Sequence, residues 1–161
     1  MTRQASISEL LESEHRWVDG QFQQFRQDLA EGRINKEPFQ KAAKVLHRHI
    51  FIEEEILFPE VEAYGLVGPT TMMAHEHGAI CRFLDEIQGL IQSNTSPGRI
   101  ADAFNALHSL LGEHNIKEEQ VLYPTADQLL SQDDVAKVVQ QLKTAEAPAG
   151  WKCRAHRAGA A

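Results

Sequence analysis

An eleven-residue pattern occurs twice in this chain, and that repeat restricts the fold more than any other feature. The first copy runs His49-Ile50-Phe51-Ile52-Glu53-Glu54-Glu55-Ile56-Leu57-Phe58-Pro59 and the second His114-Asn115-Ile116-Lys117-Glu118-Glu119-Gln120-Val121-Leu122-Tyr123-Pro124. Overlaid, they share the histidine, two glutamates, the leucine and the proline, and an aromatic residue precedes each proline. Residues four apart on an α-helix share a face, with Cβ atoms roughly 5–6 Å apart. Each copy therefore points an imidazole and a carboxylate in one direction, and two such faces set opposite each other can grip metal.

The segments around the repeat read as helices. Ser6-Ile7-Ser8-Glu9 is a capping box, so a first helix is expected from about Ile7 to the Glu31-Gly32 stop. Its apolar positions are Ile7, Leu11, Val18, Phe22, Phe25 and Leu29, and His15 fills the one gap. After Asn35, a suitable cap, Phe39, Ala42, Leu46, His49, Glu53 and Ile56 advance by threes and fours, the seam of a packed helix. Pro59 should kink its last turns before Gly65 and Gly68. Pro69 is expected to open a third helix with the seam Met73, His77, Ile80, Leu84, Ile87 and Ile91. Ser96 and Pro97 start a fourth, whose seam is Ile100, Phe104, Leu107, Leu111, His114, Glu118 and Val121. A shorter helix is expected from about Gln132 to Thr144, capped by Ser131.

Four long helices joined by short loops predict an all-α fold, an antiparallel up-down-up-down four-helix bundle with a short C-terminal helix. The bundle domain is expected to span residues 1–146, and the Gly- and Ala-rich residues 147–161 to form a flexible tail. Glu14-His15 precedes the first copy of the motif as Glu76-His77 precedes the second, so the chain reads as two similar helical hairpins. Approximate two-fold symmetry between them predicts two equivalent metal positions.

The net charge of −7 over 161 residues, and the absence of any Lys/Arg cluster, argue against a nucleic-acid partner. No run is long enough to cross a bilayer, and the N-terminus lacks the apolar stretch of a signal peptide, so a soluble cytoplasmic protein without a membrane partner is expected. The two cysteines, Cys81 and Cys153, suffice neither for a disulfide framework nor for a Cys-based zinc site. Any metal must be held by nitrogen and oxygen.

Six polar residues fall in apolar seams: His15, His49, Glu53, His77, His114 and Glu118. One histidine at a helix interface usually just finds a hydrogen bond. Two carboxylates buried beside four imidazoles are another matter, because each unpaired buried carboxylate costs several kcal/mol even after relaxation. Imidazole suits zinc, copper, iron and nickel, and a carboxylate can serve two ions. Six ligands spread over four helices favour a pair of metals with open positions over one closed structural zinc. Glu54 and Glu119 repeat one step off the ligand face, where they either orient imidazoles through hydrogen bonds or solvate the bundle. Glu14 and Glu76 could orient imidazoles too. His47, His108 and His156 are read as rim or solvent positions. Trp17, Phe22, Phe25, Phe51, Phe58 and Tyr123 are read as core, and Cys81 as a small buried hydrophobe.

From Ser8 to about Gln128 these residues resemble the hemerythrin-like, or HHE cation-binding, domains. The resemblance rests on a histidine on the first helix, His-x-x-x-Glu-Glu-x-x-Leu-Phe-Pro on the second, Glu-His on the third and His-x-x-x-Glu-Glu-x-x-Leu-Tyr-Pro on the fourth. It implies two iron ions with an oxo or hydroxo bridge, held by the six seam residues, and a small diatomic ligand (O2 or NO) or peroxide as partner. Oxygen carriers of the family have a further histidine one turn before the one on the third helix, where this chain has Met73. That departure points away from pure oxygen carriage and toward redox chemistry, including catalase-like or peroxidase-like turnover. An iron or oxygen sensor and an iron storage or donor protein are the alternatives. Repair members of the family carry a cysteine-bearing region ahead of the domain, and this chain begins its first helix at about residue 7, so that subgroup is not the expectation.

Overall fold

The computed structural model describes residues 3–159, and among them the regular structure is entirely helical. Eight helices follow in order: α1 (Ile7–Ala30), α2 (Lys36–Ile52), α3 (Phe58–Glu62), α4 (Val67–Gln92), α5 (Pro97–Lys117), α6 (Tyr123–Leu129), α7 (Gln132–Thr144) and α8 (Arg154–Gly159). Helix α1 packs on α2 and α5, and α4 packs on α5 and α2, so the four long helices enclose a common interior. No helix among the described residues is long and apolar enough to cross a membrane.

Local chemistry sets most of the ends. Ser6 accepts the backbone N–H of Glu9, whose side chain returns to the Ser6 backbone, completing the expected capping box. Asn35, Ser96 and Ser131 cap α2, α5 and α7 in the same manner. The Asp127 carboxylate on α6 accepts the backbone N–H groups of Ile7 and Ser8 at 2.9 and 3.1 Å, a negative charge at the positive end of α1. Helix α4 begins at Val67, so Pro69 lies inside its first turn, where the missing N–H costs nothing.

The sharpest departure from the expected periodicity follows each copy of the motif. Glu53–Leu57 and Glu118–Leu122 are π-helical turns, in which the N–H of Phe58 reaches back to the carbonyl of Glu53 and that of Tyr123 to Glu118. In an unbroken α-helix the rings of Pro59 and Pro124 would collide with the carbonyls four residues earlier. A wider turn relieves that clash, and the kink expected at Pro59 takes this form. The extra residue per turn also rotates the seam. Leu57 and Leu122 are buried in place of Ile56 and Val121, and Val121 is 59% exposed.

The interior consists of two apolar clusters. One contains Val18, Phe22, Phe25, Phe39, Leu46, Ile80, Phe104 and Leu111; the other contains Ile7, Leu11, Ile52, Leu57, Phe58, Met73, Leu122 and Tyr123. Along every long helix a buried histidine falls where the chain passes from one cluster to the other: His15 between Leu11 and Val18, His49 between Leu46 and Ile52, His77 between Met73 and Ile80, and His114, followed by Glu118, between Leu111 and Leu122. The histidines thus occupy a polar layer between two dry ones. Trp17, read as core, is 45% exposed, because position 17 faces away from both clusters.

The C-terminal segment also departs from expectation. Residues 151–157, read as a loose tail, pack on the bundle. Cys153 is buried in the first cluster, Trp151 stands edge-on to Phe51, and Arg154 bonds Glu62 at 2.6 Å while lying over the Phe58 ring. Composition hides this, because the anchors are single residues scattered among alanines.

Candidate metal centre

All six seam residues are buried, and their polar atoms converge. The ring nitrogens His15 Nε2 and His49 Nε2 are 3.1 Å apart, and the rings of His77 and His114 meet edge to face at 4.9 Å. Between these pairs stand the two carboxylates. Glu118 Oε1 is 3.4 Å from His15 Nε2 and 3.2 Å from His114 Nε2, and its Oε2 is 3.9 Å from His77 Nε2. Glu53 Oε1 is 3.2 Å from His49 Nε2 and 3.5 Å from His77 Nε2. Each carboxylate therefore reaches imidazoles from both hairpins.

Two overlapping sets of potential ligand atoms result. Glu53, His77, His114 and Glu118 offer atoms within 4.8 Å of one another, and so do His15, His49 and Glu118. Glu53 Oε1, both oxygens of Glu118 and His77 Nε2 are buried without a hydrogen-bond partner. Buried polar atoms are nearly always satisfied, and an unsatisfied carboxylate is the most expensive exception. Lone pairs of nitrogen and oxygen aimed at one region are what a cation needs, so the residues present fit a metal with mixed N/O ligands.

Electrostatics agree with this geometry. Burial pushes the His49, His77 and His114 imidazoles down, yet the facing carboxylates outweigh it and raise all three, His114 to about 10. Burial likewise opposes ionisation of Glu53, but His49 and its neighbours hold it well below the ordinary carboxylate range. The site keeps the Glu53 carboxylate charged and holds positive charge on the imidazoles around it.

Three imidazoles are hydrogen-bonded by a carboxylate on the far side, and the fourth faces one. His49 Nδ1 meets Glu14 Oε2 at 2.7 Å, His77 Nδ1 meets Glu54 Oε2 at 2.7 Å, and His15 Nδ1 meets Glu119 Oε1 at 3.2 Å. His114 Nδ1 faces Glu76 Oε2 at 3.7 Å, beyond direct hydrogen bonding. The facing His114 ring and, after it, the Lys117 ammonium hold Glu76 at about 2, against an opposing effect of burial. Of the two roles left open for Glu54 and Glu119, the structure gives both of them contact with an imidazole. Glu14 and Glu76 occupy the equivalent places.

Three of these four carboxylates are themselves anchored. Arg48 donates to Glu14 at 3.2 Å and to the carbonyls of Leu142 and Ala145, which end α7. Lys117 donates to Glu76 at 2.8 Å, and the backbone N–H of Arg154 donates to Glu54 Oε1 at 2.7 Å. Arg48 and Arg154 thus tie the C-terminal helices to imidazole orientation, a link that no local motif announces.

Tyr123 is the site residue that sequence reasoning placed in the core. Its hydroxyl donates to Glu53 Oε2 at 2.8 Å and lies 3.2 Å from both His15 Nε2 and His49 Nε2. Burial, followed by the charges of Glu118 and Glu53, raises its pKa well above the usual phenol range, so it remains a donor. Phe58 holds the corresponding place in the first copy and stacks on His77 at 5.7 Å. The Phe/Tyr difference between the two copies was the available signal. His47, His75 and His108 are exposed and take no part.

A hemerythrin HHE cation-binding domain model matches residues 6–145, and the chain belongs to that family. Among curated proteins it is 32% identical over 92 residues to the iron-sulfur cluster repair protein YtfE of Musicola paradisiaca, a match covering 50% of this chain and 41% of that protein. The YtfE proteins of Yersinia pestis and Yersinia pseudotuberculosis are 31% identical over 91 residues, with the same coverage. The matched stretch spans about two fifths of the length of these relatives. No solved structure matches the chain.

Proposed function

We propose that this protein is a non-haem di-iron protein that binds O2, NO or peroxide. The observation that carries the reading is the placement of Glu53 and Glu118, each within reach of imidazoles from both hairpins and with buried oxygens lacking hydrogen-bond partners. His15 and His49 would hold one ion, His77 and His114 the other, and the two carboxylates would be shared. When bound, the metals supply redox capacity and open positions for a small ligand. The chain's own residues orient the imidazoles through Glu14, Glu54, Glu76 and Glu119, and Tyr123 keeps an O–H directed at the centre. Two apolar clusters exclude water on either side. Family membership supports iron over zinc or copper, and we infer the up-down-up-down bundle topology and a cytoplasmic setting on the same footing.

Met73 is buried one turn before His77, where oxygen carriers of the family place another histidine. This favours peroxide dismutation over oxygen carriage. Anaerobic purification, metal analysis and an absorption spectrum on exposure to air test the binding reading: two irons per chain with a ligand-sensitive charge-transfer band are expected, and a colourless protein with less than one metal would overturn it. For turnover, oxygen evolved from hydrogen peroxide should exceed that from an equal amount of free iron, and Met73→His should suppress it. The YtfE relatives carry the name of iron-sulfur cluster repair proteins, and a second reading is a part in such repair, with this protein as the iron donor. Iron retained by this protein in the presence of an apo iron–sulfur acceptor would exclude it.

A further inference from the structure

The two cysteines, far apart in sequence, meet where α8 docks on α4. Cys81 lies one turn after His77 on α4, and Cys153 immediately precedes α8 and is buried in the same apolar cluster that Cys81 packs against. The backbones come unusually close here. A Cβ placed on Gly78 would lie 2.6 Å from Ala155 Cβ and 4.0 Å from Ala155 Cα, so only glycine at 78 lets α8 seat. Both thiols line one cavity of about 680 Å³, together with His47, Asp85, Trp151 and His156, which opens a path for a small oxidant.

We propose that Cys81 and Cys153 form a reversible dithiol/disulfide site, oxidised by a peroxide, whose disulfide fastens the C-terminal segment over the His77 half of the metal centre. A hydrogen bond from the Cys81 thiol lowers Cys153 to about 6, which makes Cys153 the attacking thiolate and leaves Cys81 protonated. The Cys153 sulfur attacks a peroxide oxygen, the O–O bond breaks, and hydroxide departs to leave a sulfenic acid. The Cys81 sulfur then attacks the Cys153 sulfur, the S–O bond breaks and water leaves. In sum, two thiols and one hydrogen peroxide give one disulfide and two waters, the peroxide taking up both electrons.

The consequence for the centre follows from the next residue. The Arg154 N–H holds Glu54 Oε1, Glu54 Oε2 holds His77 Nδ1, and the Arg154 guanidinium also caps the Glu54 carbonyl at 2.9 Å. A covalent link at position 153 removes the undocked state in which Glu54 is free to turn. The thiol chemistry stands without any metal; the coupling to His77 rests on the di-iron reading.

Reduced full-length protein treated with stoichiometric hydrogen peroxide, alkylated under denaturing conditions and mapped by mass spectrometry tests the link. The expected result is loss of both free thiols together, a cross-linked pair of peptides containing Cys81 and Cys153, and full reversal by dithiothreitol. Cys81→Ser should eliminate the cross-link and leave Cys153 to overoxidise or form mixed disulfides. This variant removes a half-buried thiol and spares the buried one on which docking depends. Hydrogen exchange at the amides of residues 153–157 should slow about tenfold or more in the disulfide form, as expected when a long loop is closed covalently. Two alkylatable thiols after peroxide would overturn the proposal, and so would a cross-link that leaves exchange in 153–157 unchanged. Iron analysis of the same samples reports on the metal reading separately, because the cross-link is expected with or without iron.

Discussion

The corner of the centre around His77 and the corner around His15 are built from the same sequence pattern and finished differently. At His77 the orienting carboxylate, Glu54, is fully buried, bonded by the Arg154 N–H and roofed by α8, and a Phe58 ring stacks on the imidazole. At His15 the orienting carboxylate, Glu119, is 33% exposed and lines a cleft of about 480 Å³ with Asp19, Phe22, His108 and Asn115. A hydroxyl, that of Tyr123, stands over that imidazole in place of a phenyl ring. Two-fold repetition of the six seam residues therefore coexists with asymmetry of access. One corner is dry and held from outside the motif; the other adjoins solvent and has a proton donor.

Removal of either Glu53 or Glu118 should have the largest effect and should ignore the asymmetry. Glu118→Ala and Glu53→Ala are each expected to lose at least half of the bound iron. Chelation of the wild-type protein should lower its melting temperature by on the order of 10 °C, because bound metal stabilises only the folded chain. Equal melting temperatures with and without chelator would show that the centre is not coupled to the fold.

The orienting carboxylates should divide the two corners. Glu54→Gln is expected to weaken iron binding by roughly 10–100-fold, the usual cost of losing a carboxylate that positions a ligating histidine. Glu119→Gln should cost about threefold or less, since water from the adjoining cleft can replace its bond to His15. Iron affinities measured by competition with a chelator decide this, and equal losses would mean that the roof over His77 contributes nothing.

The Phe/Tyr difference can be exchanged. Tyr123→Phe leaves a Glu53 oxygen without its donor, and should destabilise the iron-free protein by about 1–3 kcal/mol in urea titrations. Phe58→Tyr places a hydroxyl in a dry pocket and should cost a similar amount. A neutral Tyr123→Phe would show that the hydroxyl is not an integral part of the centre.

The smallest effect lies far from both corners, where Asp28 ties the turn between α1 and α2 to Arg33 at 2.9 Å and Asn35 at 3.1 Å. The Arg33 bond, against burial and with help from Asn35 and Gln24, holds the Asp28 pKa below the ordinary value. A lowered folded-state pKa stabilises above the unfolded value, near 4, and that contribution disappears as pH falls through the folded value. Asp28→Asn should therefore lower the urea midpoint at neutral pH, converge with wild type under strong acid, and leave iron content unchanged.

The helix ends were legible in the residues because their causes are local. A capping serine at 6, 96 or 131 finds its partner within three residues, and the structure places those starts where the sequence does. The six seam positions were legible for a related reason: a polar residue in an apolar row of a helix has only the interior to face. Beyond a helical turn the sequence becomes ambiguous. It contains Pro59 and Pro124, but whether each kinks, breaks or widens its helix depends on what the displaced seam must pack against. The π turns that bury Leu57 and Leu122 are that packing decision. It also contains Arg48, Arg154, Cys81 and Cys153, each without a local partner. Glu14, Glu54 and the second thiol come into reach only when helices distant in sequence are side by side. Identity and helical phase determined which groups point inward; three-dimensional proximity, created by burying two apolar clusters around a polar layer, determined which imidazole is roofed, which meets a hydroxyl, and which cysteine meets the other.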